Sequence, residues 1–166
     1  MKSAILFVVI LFIWAMTSAS FAQTSTPLSV FPQSRNSARP EETERAKKLY
    51  GLLRQENRAL QWNNCLAAKA SLRARQLVAK GYFDHADPKT GKNPVWKTVN
   101  QCFSNTGRHP KITAGENLAK GNDTPANIHK ALMASPTHRK NILDRRFNRV
   151  GVGCYDSVCV ELFAGI

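Results

Sequence analysis

Val150-Gly151-Val152-Gly153-Cys154-Tyr155-Asp156-Ser157-Val158-Cys159-Val160-Glu161-Leu162-Phe163-Ala164 is the stretch whose period settles the fold class. Apolar and small residues alternate with a period of two, so Asn148 to Cys154 and Val158 to Ala164 read as two antiparallel strands. Asp156-Ser157 is the two-residue turn between them. One face then carries Tyr155, Val158, Val160, Leu162 and Ala164, together with Gly151 and Gly153. Bare glycines inside a strand often mark a close approach of another backbone. Glu161 falls on the opposite face by the same alternation.

The hairpin also orders the cysteines. Four are present, Cys65, Cys102, Cys154 and Cys159, and four cysteines allow three pairings. Tyr155 and Val158 flank the turn as a hydrogen-bonded pair. Cys154 and Cys159 are then the next, non-hydrogen-bonded pair, whose Cα atoms lie ~4.5 Å apart. That is at the short end of what a disulfide accepts. Cys65 with Cys102 follows by elimination. Zinc binding by these four is disfavoured, since no Cys-x-x-Cys spacing occurs.

Upstream of the hairpin the period is helical. Pro40 is pre-organised for a first helical position, and Glu41, Glu42 and Glu44 suit the positive end of a helix dipole. Ala46, Leu49, Tyr50, Leu53 and Asn57 fall on one face. A second helix is predicted over 63–80, with Leu66, Ala70, Ala74, Leu77 and Val78 as its stripe and Gly81 as its stop. Its alanines permit close packing. Pro94 to Val99 reads as a short third helix. Thr124-Pro125 and Ser135-Pro136 repeat a cap-plus-proline signal and open a fourth and a fifth. Helices followed by strands indicate an α+β sandwich. Trp62 and Trp96 are expected in the core, and His109 and His129 at the surface.

Residues 1–22 read as a signal peptide. Lys2 is the charged start, Ala4 to Met16 the apolar run, and Ser20-Phe21-Ala22 the small-residue end, so cleavage is expected before Gln23. An uncleaved anchor is the other reading, although the run is shorter than the ~18–20 residues a span needs. Residues 23–40, rich in Ser, Thr, Pro, Gln and Asn, read as a disordered linker. The domain proper is 41–166. An even cysteine count behind an export signal implies disulfides. The net charge of +13 favours anionic partners: membrane surfaces, cell-envelope polymers or nucleic acid. Nucleic acid has no recognition motif to support it. Scattered basic residues are equally the mark of a self-repelling soluble surface.

Three motifs carry the chemistry. Gly81-Tyr82-Phe83-Asp84-His85 offers an imidazole. Ala114-Gly115-Glu116-Asn117-Leu118 offers a carboxylate, read as sitting on a glycine-opened turn. Ser135-Pro136-Thr137-His138-Arg139-Lys140-Asn141-Ile142-Leu143 offers a second imidazole in the first turn of the fifth helix. Ser135 is better explained as a cap than as a nucleophile. Asn117 and Asn141 are expected to tie loops to backbone.

In this order, and with Val150-Gly151-Val152-Gly153 after them, the motifs resemble the CAP superfamily, also called SCP-like: cysteine-rich secretory proteins, antigen 5 and pathogenesis-related-1 proteins. The short, bacterial-type members are the most similar. The resemblance covers Glu41 to Ile166, and Leu60-Gln61-Trp62-Asn63 before an alanine-rich helix fits it too. It implies a three-layer α-β-α sandwich with a small antiparallel sheet and a cleft lined by His85, Glu116 and His138. Some members hold a divalent metal there through the two histidines, and lipid or sterol binding is a further implication. Larger members carry a second glutamate in a Trp-Tyr-x-Glu stretch. Here that region reads Ala131-Leu132-Met133-Ala134, so the tetrad is incomplete.

Two functions follow. One is a secreted, non-enzymatic binding module whose cleft takes a divalent ion or a small, lipid-like ligand. The other is a metal-assisted hydrolase. There His85 and His138 hold Zn²⁺, a bound water is activated, and Glu116 acts as catalytic base. The missing glutamate favours the first.

Overall fold

Residues 38–104 and 111–166 are described in the structure, a computed structural model. The expected signal peptide, most of the expected linker and His109 lie outside them. Within the described residues the order is α1 (Pro40–Glu56), β1 (Gln61–Trp62), α2 (Asn64–Lys80), α3 (Val95–Asn100), β2 (Thr113–Lys120), α4 (Pro125–Ala134), α5 (Pro136–Leu143), β3 (Arg149–Tyr155) and β4 (Val158–Gly165).

The helix ends follow local chemistry. Asn63 caps α2 by accepting from the Leu66 amide, and Gly81 ends it in the left-handed region at φ 67°. Thr124 caps α4 through the Asn127 amide. Ser135 occupies the corresponding place before α5, but its side chain makes no cap bond. Proline at the first turn of α5 already lacks one of the amides a cap would satisfy.

The four strands run in the order β1-β3-β4-β2. β3 and β4 form the expected hairpin, with Tyr155 opposite Val158 and Cys154 opposite Cys159. Both expected disulfides are present: Cys65–Cys102, with Cα atoms 5.7 Å apart, and Cys154–Cys159, at 4.1 Å. The turn holds Asp156 at φ 53°, and its amide donates to the Glu42 carboxylate at 3.0 Å, tying the turn to α1.

Two elements differ from the sequence reading. The stretch around Glu116 is a strand, not a turn: β2 pairs antiparallel with β4 along its whole length, Gly115 opposite Phe163 and Glu116 opposite Leu162. Gly115 is there for space. A Cβ on it would meet the Phe147 ring at 2.8 Å. Two-residue β1, parallel to β3, is too short to show any alternation.

Both sheet faces are covered, so every residue of β4 is buried. α2 and α3 cover one face. Leu66, Ala70, Ala74 and Leu77 pack there with Val158, Val160, Leu162 and Ala164. Gly151 and Gly153 face α2 so closely that a Cβ would lie 2.1 Å from the Ala67 and Ser71 amides. α1, α4 and α5 cover the other face, where Leu49, Leu53, Ile142, Val152 and Phe163 meet. The result is an α-β-α sandwich. Trp62 stands edge-on to Tyr50 beneath Lys47, as a partly buried residue. Trp96 does not join the core; it is 59% exposed, because α3 turns Val95 and Val99 inward instead. His129, expected outside, is buried beside Glu56 at 3.6 Å.

Candidate functional site

The register of β2 on β4 decides which way its side chains go. Glu116 lies opposite Leu162 and therefore points to the α2 face. Waiting there is Arg73, on the buried stripe of α2 between Ala70 and Leu77. Its Nε donates to Glu116 Oε2 at 3.4 Å, and Nη1 to the Tyr82 hydroxyl at 2.8 Å. Nη2 donates to the carbonyls of Asp84 and His85, at 2.8 and 3.0 Å. One guanidinium thus holds both the carboxylate and the loop that carries His85.

His85 completes the pair. Its Nδ1 lies 2.8 Å from Glu116 Oε1. A carboxylate can only accept, so Nδ1 carries a proton, and in the neutral form of the ring the lone pair is then on Nε2. The ring is 40% exposed while the Glu116 side chain is 2% exposed, so the imidazole is presented to solvent on a buried anionic post.

His138 is the third residue of α5. Its carbonyl accepts from Asn117 Nδ2 at 3.3 Å, but its ring makes no hydrogen bond to Glu116. Burial, and then the proximity of His85, hold its imidazole below the ordinary histidine value. The three expected residues therefore form a tight pair plus a neighbour. Among the described residues no three His, Cys, Asp or Glu side chains are grouped to hold a metal ion.

On the other face of β2 lies a second polar cluster. Asn117 stands opposite Glu161 and donates to its Oε2 at 2.9 Å. Asn141 donates to Asn117 Oδ1 at 2.9 Å and to the Glu116 carbonyl at 3.2 Å. The asparagines do tie α5 to backbone, but they also reach one another and a buried acid. Glu161 is 1% exposed, its Oε1 has no partner among the described residues, and burial pushes its carboxyl up to about 7 against the lowering effect of Asn117. It faces away from His85.

Sequence reasoning missed Arg73. A signal was available: an arginine on the apolar stripe of α2, three residues past Ala70, needs a buried anion. The partner was not legible, because Glu116 lies 43 residues away.

A profile of the Cysteine-rich secretory protein family, CAP, matches residues 36–160. The chain is 35% identical over 135 residues to an uncharacterized Bacillus subtilis (strain 168) protein, YkwD, covering 81% of this chain and 47% of that one. Its fold is similar to that of an extracellular protein containing a SCP domain from Bacillus anthracis str. Ames, with TM-score 0.62 and 23% identity over 76% of this chain and 44% of the other. An outer surface protein of Borrelia burgdorferi matches at TM-score 0.58 and 19% identity, over 73% of this chain and 92% of its own. The chain thus spans about half the length of the two Bacillus relatives.

Proposed function

This chain belongs to the Cysteine-rich secretory protein family, and from that premise we propose that it is an exported, non-enzymatic binding module whose cleft offers two imidazoles to a ligand. The observation that carries this reading is the 2.8 Å contact of His85 Nδ1 with Glu116, backed by Arg73. It aims one lone pair, on Nε2, outward. His138, whose imidazole is held below the ordinary histidine value, supplies a second nitrogen in the same cleft.

The donor set does not fit a resident catalytic zinc. Such sites use three protein ligands and keep one position open. Here two nitrogens face the cleft, and Glu116 is engaged behind one of them by His85 and by Arg73. It orients His85, as a carboxylate does behind a metal-ligating imidazole, and is not free to serve as a base. A metal-assisted hydrolase would need a free base in addition to the Glu116 that His85 and Arg73 already hold. Two imidazoles suit an exchangeable divalent ion or a ligand that brings its own donors. Export is supported by the leader-like segment, the two disulfides and extracellular or surface relatives. The net charge of +13 supports anionic envelope or lipid partners. No helix among the described residues is long and apolar enough to cross a membrane.

The test is a zinc titration followed by histidine ring NMR. The resonances of His85 and His138 should move together. Glu116→Gln should weaken the effect by about 10- to 100-fold, the usual cost of removing an outer-shell carboxylate. Movement confined to His109 or His129 would remove the site. Chelator-sensitive cleavage of a peptide library would promote the hydrolase.

A further inference from the structure

Helix α5 has two faces with different chemistry. Asn141 and Ile142 turn toward the sheet, and His138 is half-buried. Arg139, Lys140 and Leu143 turn outward, and Leu143 is 38% exposed. Leu143 stands as a ridge between two open grooves. One is lined by Met133, Pro136, Arg139 and Lys140; the other runs along the last turn of α1 past Arg58, Ala59 and Arg145.

The charges around this ridge are predominantly positive. Arg58, Arg139, Lys140 and Arg145 are exposed, and none makes an ion pair among the described residues. Two acids are near: Glu56, which lines the second groove, lies 3.6 Å from His129, and Asp144 is paired with Arg146 at 2.6 Å. Four unmatched cations thus ring an exposed leucine, with Met133, Pro136 and Ala59 beside it.

We propose that the outer face of α5, with the adjoining end of α1, docks this domain on an anionic lipid bilayer: Leu143 enters the headgroup boundary, and Arg58, Arg139, Lys140 and Arg145 contact lipid phosphates. Cationic side chains reach phosphates while their stems cover apolar surface, so charge and grease act together. A soluble polyanion would use the charges and leave Leu143 in water; the ridge is the reason for preferring lipid. A single leucine makes the attachment reversible and dominated by electrostatics, hence sensitive to salt. The proposal rests on the reading that the protein meets an anionic envelope and is independent of what the cleft holds.

The experiment is co-sedimentation of the full chain with phosphatidylcholine vesicles, with and without phosphatidylglycerol, in chelator and at low and high salt. Binding should need phosphatidylglycerol and fade at high salt. Arg139→Glu with Lys140→Glu should weaken it by more than about 25-fold, since each lost cation is worth about fivefold before the added repulsion. Leu143→Ala should weaken it a few-fold. Lys89→Glu with Lys92→Glu, an equal charge change on the loop after His85, should leave it close to wild type. Thermal unfolding confirms that each variant is folded. Equal losses from both double variants would overturn the proposal, since net charge alone would then explain binding. Competition by soluble polyphosphate together with no effect of Leu143→Ala would overturn it in favour of a polyanion. Chelator is present throughout, so failure here leaves the cleft reading standing.

Discussion

Glu116 and Glu161 sit on neighbouring strands, one register step apart, and both are nearly sealed from water. They point to opposite faces of the sheet. Glu116 meets an arginine that also grips Tyr82 and two loop carbonyls, and it holds an imidazole in turn. Glu161 meets one amide and, among the described residues, leaves an oxygen unpartnered. Burial is the same; the company differs. The matched acid can be spent on orienting a side chain that faces solvent. The unmatched one has its ionisation pushed up to about 7.

Arg73→Met should separate the two cases most sharply. It strands Glu116 in the interior, which costs about 3–5 kcal/mol when one partner of a buried pair is removed. Urea unfolding should show that loss, and adding Glu116→Gln should recover part of it. If the double variant is no more stable than the single one, the pair is not the source of the cost.

The next effect is one of pH. Glu161 has a folded-state value of about 7, raised by burial from 4.5. A raised carboxyl favours the protonated folded state, so its contribution is complete below about 4.5 and is lost as pH rises through 7. The loss integrates to roughly 3 kcal/mol. Compared with Glu161→Gln, wild type should lose stability between pH 5 and pH 8, and the variant should be the more stable of the two at pH 8. Parallel urea midpoints across that range would show that Glu161 is comfortably neutralised by something else.

Smaller still is His85→Ala. It removes one bond to Glu116 but leaves Arg73 in place, and the ring is partly exposed, so about 1 kcal/mol is expected. His138→Ala should change stability by less than about 0.5 kcal/mol, since the bond that Asn117 makes to it goes to its carbonyl, which the substitution keeps. Both should still abolish the shared response to zinc. That ordering, stability falling with distance from Arg73 while ligand response does not, is what distinguishes a site from its support.

How much of this could be read from residues alone depends on how local the cause is. Pro40, Asn63, Gly81 and Thr124 mark helix ends through contacts within a few residues, and they fall where expected. The hairpin and both disulfides follow from alternation and turn chemistry. Gly151 and Gly153 foretell the close approach of α2. β2 was hidden because Gly115, Glu116 and Asn117 look like loop residues. Their burial makes sense only with Arg73, Phe147 and Asn141, none of them nearby in sequence. Likewise His129 reads as a surface residue until Glu56 is placed beside it.

The bond from Asn141 to the Glu116 carbonyl has one more consequence. Tyr155 and Val158 are the paired residues at the turn, and alternation across β4 then leaves the Glu116 main chain facing off the end of the sheet. An unclaimed carbonyl on a long border strand invites a stranger's backbone to zip alongside. Here a carboxamide from α5 already fills the slot. The asparagine that ties α5 to β2 thus also occupies an acceptor on the border of the sheet, where another strand would otherwise find it.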